Sequence, residues 1–267
     1  MSSNSDSIGR VFTVALVLCI VSALFVAGSV VLLRPDQVAN KLLDTQRNIL
    51  TAAGLYGDGV DVADVFARRI SIQLVDLRTG EPVADPAAVG IADVVSYDQR
   101  AATKDPARSD AIDPEKDIAK LRRKAHFAKV YVIKGDSGQL DKVVLPVSGY
   151  GLWSTMHGYL VLANDLNTVV GITFTDHGET PGLGGEIDNP KWKAQWPGKK
   201  VYDADGNVVM HLKKGGINKA DPVDVAHNVD GLAGATLTSD GVNHLVTFWL
   251  GSEGFGPYLK KLKAQGA

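Results

Sequence analysis

The stretch DGLAGATLTS, from Asp230 to Ser239, decides how the C-terminal part of the chain folds. Gly231 and the small residues 233–235 carry almost no side-chain bulk, so a ligand can approach this backbone closely. Apolar residues at three- and four-residue spacing follow and predict a helix with Ser239 or Asp240 as its N-cap. A loop of this kind suits a phosphate, because free amides and the helix dipole both favour negative charge. The alternative is an ordinary tight loop.

Composition limits the chemistry available to the chain. Its 267 residues allow one large domain or two small ones, and a net charge of -2 does not predict a nucleic-acid surface. Cys19 is the one cysteine, so the chain has neither an internal disulfide nor the ligands of an iron–sulfur cluster. The six histidines lack metal-site spacing, and no G-x-S-x-G elbow of a serine hydrolase occurs. Redox chemistry would therefore need a bound organic cofactor or a partner.

The segment Val11–Leu33 is long and apolar, without a charged residue. A helix of this length spans roughly 34 Å, enough for a bilayer core, whereas the apolar region of a signal peptide is about 7–15 residues. The sequence predicts a tail over 1–10, a permanent transmembrane helix over 11–33 and an extramembrane domain over 34–267. Arg34, Lys41 and Arg47 follow the span and favour a cytoplasmic domain, although acidic residues interleave with them.

The sequence of the extramembrane part predicts an α+β fold with a mostly antiparallel sheet and flanking helices. Helices are expected over Pro35–Ala53 and Val62–Arg69. Asp113-Pro114-Glu115 offers a helix start, but the polar stretch around it is expected to lie on the surface. A hairpin is expected around Asp205-Gly206. The expected strands lie around Ile70–Leu74, Val130–Ile133, Val143–Val147, Tyr159–Leu162 and Val169–Phe174.

Two further stretches are candidates for a ligand site. HGETPGLGG, from His177 to Gly185, is a shaped loop in which Glu179 and Thr180 are able to hydrogen-bond a planar heterocycle; the alternative is a surface turn with a solvated glutamate. It is not a dinucleotide fingerprint, because Ile187 stands where the third glycine is needed.

GYGLWSTMHG, from Gly149 to Gly158, offers Tyr150 and Trp153 as stacking faces, with core packing as the alternative. Trp192 and Trp196, near a short helix expected at Pro190, are predicted to be packing residues.

Residues Asp230 to Thr236 resemble the motif of proteins that carry FMN on a threonine through a phosphoester, although Ala233 stands where a hydroxyl residue is usual. Nearly the whole chain resembles the C subunits of the Na+-translocating NADH:quinone oxidoreductases. The stretches that carry this resemblance are the N-terminal apolar span, QRNILTAAGL (Gln46–Leu55), YDQRAATKDP (Tyr97–Pro106), GYGLWSTMHGYL (Gly149–Leu160), HGETPGLGGEI (His177–Ile187) and the motif ending at Thr236.

The resemblance implies FMN bound covalently to Thr236, beside Gly234 and Ala235, with Thr238 and Ser239 as rival acceptors. It also implies that Glu179, Thr180 and Leu183 form a loop around the flavin ring, where Gly182 and Gly184 let the backbone approach. Tyr150 and Trp153 would supply apolar faces. No metal is expected.

The implied protein is an electron-transfer subunit in a bacterial inner membrane, with its domain on the periplasmic side, opposite to the charge pattern. Its complex would contain subunits A, B, D, E and F, oxidise NADH, reduce ubiquinone and export sodium. A separate flavin transferase would attach the FMN from FAD. The alternatives are a relative of the G subunit of the Rnf ferredoxin:NAD+ oxidoreductase and an anchored FMN-binding sensor or scaffold; an anchored hydrolase is disfavoured.

Overall fold

The N-terminal apolar segment lies in one long helix, α1 (Ile8–Ala52), in a computed structural model that describes residues 8–135 and 137–266. Residues 8–10 of the predicted tail already belong to α1, and residues 1–7 lie outside the described range. Every side chain of α1 from residue 8 to residue 44 is exposed, and the helix is long and apolar enough to cross a membrane. The chain divides into a unit that ends at Thr45 and a second that begins at Gln46.

The second unit contains the sheet and the remaining helices. The helices are α2 (Val62–Arg69), α3 (Gln99–Lys104), α4 (Pro190–Lys193), α5 (Pro222–His227), α6 (Thr236–Leu250) and α7 (Gly256–Ala264), with 3-10 turns at Ala87–Val89 and Gly184–Asp188. The strands are β1 (Ile70–Asp76), β2 (Glu81–Pro82), β3 (Ser109–Ala111), β4 (Arg123–Ala125), β5 (Phe127–Lys134), β6 (Leu140–Tyr150), β7 (Thr155–Ala163), β8 (Val169–Asp176), β9 (His211–Lys213) and β10 (Asn228–Asp230). All the predicted strands are present, and the predicted α+β class is confirmed.

The main sheet has the order β2-β1-β5-β6-β7-β8 and every pairing in it is antiparallel. Alternate residues of one strand enter different cores, as the two-residue period of a strand requires. Leu145 and Leu160, paired across β6 and β7, lie in the core shared with α6, whereas Val144 faces the core that contains Ile49 of α1. The sheet is therefore buried on both faces.

Helix α6 packs directly on β6 because glycine removes the side chains between them. A Cβ at Gly149 would lie 2.8 Å from Cβ of Leu245, and a Cβ at Gly241 would lie 2.5 Å from the carbonyl oxygen of Tyr150. The indole of Trp249 donates a hydrogen bond of 2.7 Å to the carbonyl of Ser148. These contacts place the N-terminus of α6 beside the turn between β6 and β7.

The predicted N-cap of this helix is wrong. The helix begins one turn earlier, at Thr236 after Ala235, because the amide of Ser239 already bonds to the carbonyl of Ala235. The Ser239 hydroxyl also bonds back to that carbonyl, at 3.1 Å, so Ser239 is a first-turn residue.

No helix starts at Asp113, and the stretch is mostly exposed, as the surface alternative requires. The carboxylate of Asp117 accepts the amides of Leu121 and Arg122 at 2.8 and 2.7 Å, and Lys120 has a φ of 54°. These bonds close a loop where a helix would need its amides for carbonyl groups.

The hairpin predicted at Asp205-Gly206 is limited to its turn. A single antiparallel bridge joins Tyr202 to Val208. Beyond it the chain turns away, and β9 pairs in parallel with β10, directly before the DGLAGAT motif.

Candidate functional site

The exposed hydroxyl residue at the start of α6 is Thr236. It is the first helical residue of a helix that ends at Leu250, and both Thr236 and Leu237 are exposed. Among the described residues, no acceptor bonds to the amides of Thr236, Leu237 or Thr238. Unbonded amides at a helix N-terminus attract an anion, and Ala235 as N-cap provides no competing side-chain oxygen.

The two rival hydroxyls are buried and already bonded. Thr238 is 1% exposed and donates a hydrogen bond of 2.6 Å to Oε2 of Glu179. Ser239 is 6% exposed, and its hydroxyl accepts the amide of Leu232 at 2.9 Å. Thr236 is therefore the accessible member of the three.

Glu179 joins the three segments that the sequence singled out. Its Oε1 accepts the amides of Leu152 and Trp153 at 3.1 and 3.0 Å, while its Oε2 accepts the Thr238 hydroxyl. The side chain is 5% exposed, so the alternative of a solvated glutamate on a surface turn is wrong. We call this set of three hydrogen bonds the Glu179 clamp.

The clamp keeps the carboxylate ionised. Burial raises the pKa of Glu179, but the hydrogen bonds from Thr238 and from the amides of Trp153 and Leu152 lower it by more, so that the net shift is downward. Glu179 therefore carries a negative charge at neutral pH. It does not act as a proton donor there.

Two glycines make room for this carboxylate. A Cβ at Gly151 would lie 2.5 Å from Oε1 of Glu179. A Cβ at Gly184 would lie 2.7 Å from Oε2 and 2.4 Å from the hydroxyl oxygen of Thr238. Gly184 thus leaves room for the clamp, which explains the glycine without a ligand; its proximity to the flavin stays a prediction.

The other loop glycines shape turns. Gly182 and Gly234 have φ values of 75° and 74°, where a side chain is strained. The carbonyl of Thr180 accepts the amides of Leu183 and Gly185, which closes the loop and leaves the Thr180 side chain exposed.

Exposed apolar side chains occur on each of the segments that the clamp joins. Trp153 is 64% exposed and Tyr150 is 39% exposed, so the alternative that both are core residues is wrong. The remaining ones are Leu152, Leu183 and Leu237, at 39%, 47% and 59%. Such a set costs free energy in water unless it is covered, and a planar apolar ring beside an anchored phosphate fits it. The residues present thus fit a flavin nucleotide.

Asp230, the first residue of the motif, is a structural anchor. Its carboxylate accepts the amide of Ile217 at 2.7 Å, and its carbonyl accepts the Trp192 indole at 2.9 Å. Trp192 and Trp196 are buried with ring centroids 5.4 Å apart, as predicted for packing residues. The motif therefore starts from a rigid base.

The YDQRAATKDP stretch contacts the end of strand β8, directly before the His177–Gly185 loop. Asp98 caps α3 through the amides of Arg100 and Ala101. Arg100 forms an ion pair of 2.7 Å with Asp176, the last residue of β8 before the His177 loop. Since both partners are about half exposed or more, this pair contributes little stability and mainly orients α3.

Sequence reasoning did not single out the exposed Leu152 and Leu237, and it did not predict the hydrogen bond between Thr238 and Glu179. Both leucines lie within the quoted motifs, but an isolated leucine beside a loop gives no signal of its own exposure. The spacing marks Thr238 only as a rival acceptor, since nothing in it relates Thr238 to a glutamate 59 residues earlier.

Comparison with known proteins agrees with this geometry. Residues 151–251 match the model of the FMN-binding domain family. The chain is 48% identical to the C subunit of the Na(+)-translocating NADH-quinone reductase of Pseudomonas aeruginosa, over 98% of both chains. It is 47% identical to the corresponding C subunit of Pasteurella multocida, over 99% of this chain and 98% of that protein. These full-length similarities favour the NADH-quinone reductases over the Rnf alternative.

Two crystal structures share the fold. The NqrC protein of Shewanella oneidensis aligns with a TM-score of 0.76 and 39% identity, over 85% of this chain and 99% of that one. The C subunit of the Na(+)-translocating NADH-quinone reductase of Parabacteroides distasonis gives 0.61 and 28%, over 85% and 96%. The chain has an FMN-binding domain, and its apolar N-terminal helix fits a membrane anchor. The chain belongs to the family of C subunits of the Na+-translocating NADH-quinone reductases, an oxidoreductase complex.

Proposed function

We propose that this protein carries FMN covalently on Thr236 and passes electrons within a membrane complex. The observation that supports attachment at Thr236 is the difference in exposure and hydrogen bonding among three neighbouring hydroxyl groups. Thr236 is exposed beside unbonded helix amides, whereas Thr238 and Ser239 are buried and bonded. An acceptor has to reach the active site of another enzyme, so an exposed hydroxyl is required.

The attachment is a phosphoryl transfer from FAD. The Thr236 oxygen forms a bond to the phosphorus of the FMN half, the pyrophosphate bond breaks, and AMP leaves with the bonding electron pair. The hydroxyl proton goes to a base of the flavin transferase, because a threonine hydroxyl is a poor nucleophile without one. The free amides of Leu237 and Thr238 would then hold the phosphate oxygens.

The chain's own residues bind and orient the flavin. Gly234 and Ala235 keep the attachment loop thin, and Gly182 lets the opposite loop turn. Thr180 and Leu183 present a polar and an apolar side chain from that loop, while Tyr150 and Trp153 would cover the ring from the β6–β7 turn. FMN supplies the redox chemistry.

The complex would oxidise NADH, reduce ubiquinone and move sodium, with this chain as one electron carrier among subunits A, B, D, E and F. We place residues 11–33 in the bacterial inner membrane and residues 34–267 on its periplasmic side. The exposed apolar surface of α1 supports the membrane span, whereas the periplasmic side follows from the family resemblance, against the charge pattern. Covalent attachment suits this compartment, since it prevents a redox group from diffusing away.

The decisive experiment replaces the acceptor. Thr236→Ala should abolish in-gel flavin fluorescence of the denatured protein and remove the mass of one FMN less one water. Thr247→Ala is the matched control, because Thr247 is an exposed threonine of the same helix, about 16 Å further along its axis. A Thr236→Ala chain that keeps its flavin would refute the assignment.

The same variants separate an electron carrier from a sensor or scaffold. A complex assembled with Thr236→Ala should lose NADH-driven quinone reduction, while one with Thr247→Ala should keep it. Unchanged quinone reduction without FMN on this chain would favour the sensor or scaffold.

A further inference from the structure

The resemblance assigns Glu179 to the flavin ring, but its carboxylate is occupied elsewhere. Both oxygens accept hydrogen bonds from the protein, two from backbone amides of the β6–β7 turn and one from Thr238. The side chain is only 5% exposed, although apolar side chains on all three joined segments are exposed.

We propose that Glu179 is a positioning residue that assembles the FMN site and lowers the flavin's redox potential through a fixed negative charge. This inference rests on the proposed attachment to Thr236. It assigns no contact between Glu179 and the flavin.

The positioning role follows from what the clamp connects. Leu152 and Trp153 belong to the turn that presents an apolar face, and Thr238 lies in the first turn of α6, two residues after the acceptor. Glu179 itself lies in the loop with Thr180 and Leu183. A single side chain thus holds the three parts of the site at fixed distances. A side chain at position 151 or 184 would collide with the Glu179 carboxylate, so both positions require glycine.

The electrostatic role follows from the absence of a counter-charge. The groups that stabilise the Glu179 carboxylate are hydrogen-bond donors, and no lysine, arginine or histidine forms an ion pair with it among residues 8–135 and 137–266. A charge in a partly dry environment is poorly screened. Because reduction adds electrons to the flavin, a nearby fixed anion makes that reduction less favourable and shifts the potential downward.

The test uses Glu179→Gln in the full-length chain, purified in detergent after flavinylation by the transferase and FAD. Glutamine keeps the size and the oxygen that accepts the two amides, and its NH2 group can donate to Thr238. We expect full FMN content on Thr236, located by peptide mass, and a midpoint potential shifted to a more positive value. Glu186→Gln is the control, since Glu186 lies in the 3-10 turn directly after the loop, outside the clamp, and its carboxylate accepts a hydrogen bond from the Asn189 side chain.

A second variant separates geometry from charge. Glu179→Ala removes both, and its flavinylation rate should fall at least about tenfold relative to Glu179→Gln, because the acceptor is no longer held in place. An unchanged potential in Glu179→Gln would overturn the electrostatic role, and equal rates in the two variants would overturn the positioning role. FMN on another residue of the unmodified chain would instead refute the Thr236 assignment, so the two failures are distinguishable.

Discussion

At the scale of single residues, burial decides which polar groups build the site and which remain available. Thr236 and Thr238 are the same residue type two positions apart, yet one is exposed and the other is 1% exposed. Their difference comes from the helix, which directs Thr236 outward and Thr238 toward Glu179. The motif predicts the loop and the acceptor, whereas the partner of Thr238 depends on how distant segments pack.

His157 makes the stability of the domain depend on pH. It pairs with Asp176 near the start of β7 and at the end of β8, directly before the His177–Gly185 loop. Burial lowers its pKa to about 4, assisted by the positive charges of Arg100 and Lys104 and opposed by Asp176. As pH falls below about 6.5, the unfolded chain binds a proton that the folded chain still rejects, so stability decreases until about pH 4.

We therefore expect His157→Gln to reduce the loss of stability between pH 7 and pH 5. The reduction should be about 1–2 kcal/mol after allowance for partial solvent exposure of the ring. Urea unfolding of both proteins at the two pH values measures it, and the unmodified chain at pH 7 serves as the reference. An equal pH dependence in the two proteins would mean that His157 titrates alike in the folded and unfolded states.

At the scale of elements, the strands were predictable because their apolar residues either alternate with polar ones or form a continuous run. Helix α2 was predicted with its correct bounds, since Asp61 caps its start and the strand β1 begins directly after it. The start of α6 was not predictable in this way, because Thr236 and Thr238 resemble loop residues by propensity. Tertiary contacts, above all Thr238 with Glu179, stabilise the extra turn.

Gly241 shows how packing outweighs propensity within α6. A Gly→Ala change inside a helix stabilises it by about 1 kcal/mol when the methyl group meets open space. At Gly241 the methyl group would lie 2.5 Å from the Tyr150 carbonyl oxygen and 3.0 Å from Cα of Gly151, both backbone atoms. Helix α6 would have to move away from the β6–β7 turn.

Gly241→Ala should therefore destabilise the domain by about 1–3 kcal/mol, the range typical of overpacking. Thermal unfolding of the purified protein measures the change. His244→Ala provides the control, because His244 is exposed on the same helix and its replacement improves helix propensity without a clash. A Gly241→Ala protein at least as stable as the His244→Ala protein would contradict the close contact.

At the scale of the whole molecule, α1 serves two units. Its exposed apolar segment fits a membrane anchor, while its last turns, from Gln46 onward, belong to the folded domain. Ile49 and Leu50 are fully buried there. A Cβ at Gly171 of β8 would lie 2.5 Å from the Ala52 carbonyl oxygen, so the helix end lies directly on the sheet.

Two truncations test where the domain begins. A chain that starts at Gln46 keeps the buried turns, whereas a chain that starts at Gly54 loses them and uncovers Tyr131 and Val144 on the sheet. Burial of a leucine or isoleucine side chain contributes about 1.5–3 kcal/mol, so the loss of both removes about 3–6 kcal/mol. Whole domains are stable by about 5–15 kcal/mol. The shorter chain should therefore be close to unfolding.

Both truncated chains lack the exposed apolar segment of α1, which permits a direct comparison in aqueous buffer. We expect the chain from Gln46 to unfold cooperatively in urea and to accept FMN on Thr236 from the transferase. The chain from Gly54 should unfold at a much lower urea concentration or fail to fold, because nothing replaces the helix on that face of the sheet. If the two chains unfold at the same urea concentration, the end of α1 contributes nothing to the domain and its boundary lies after Ala53.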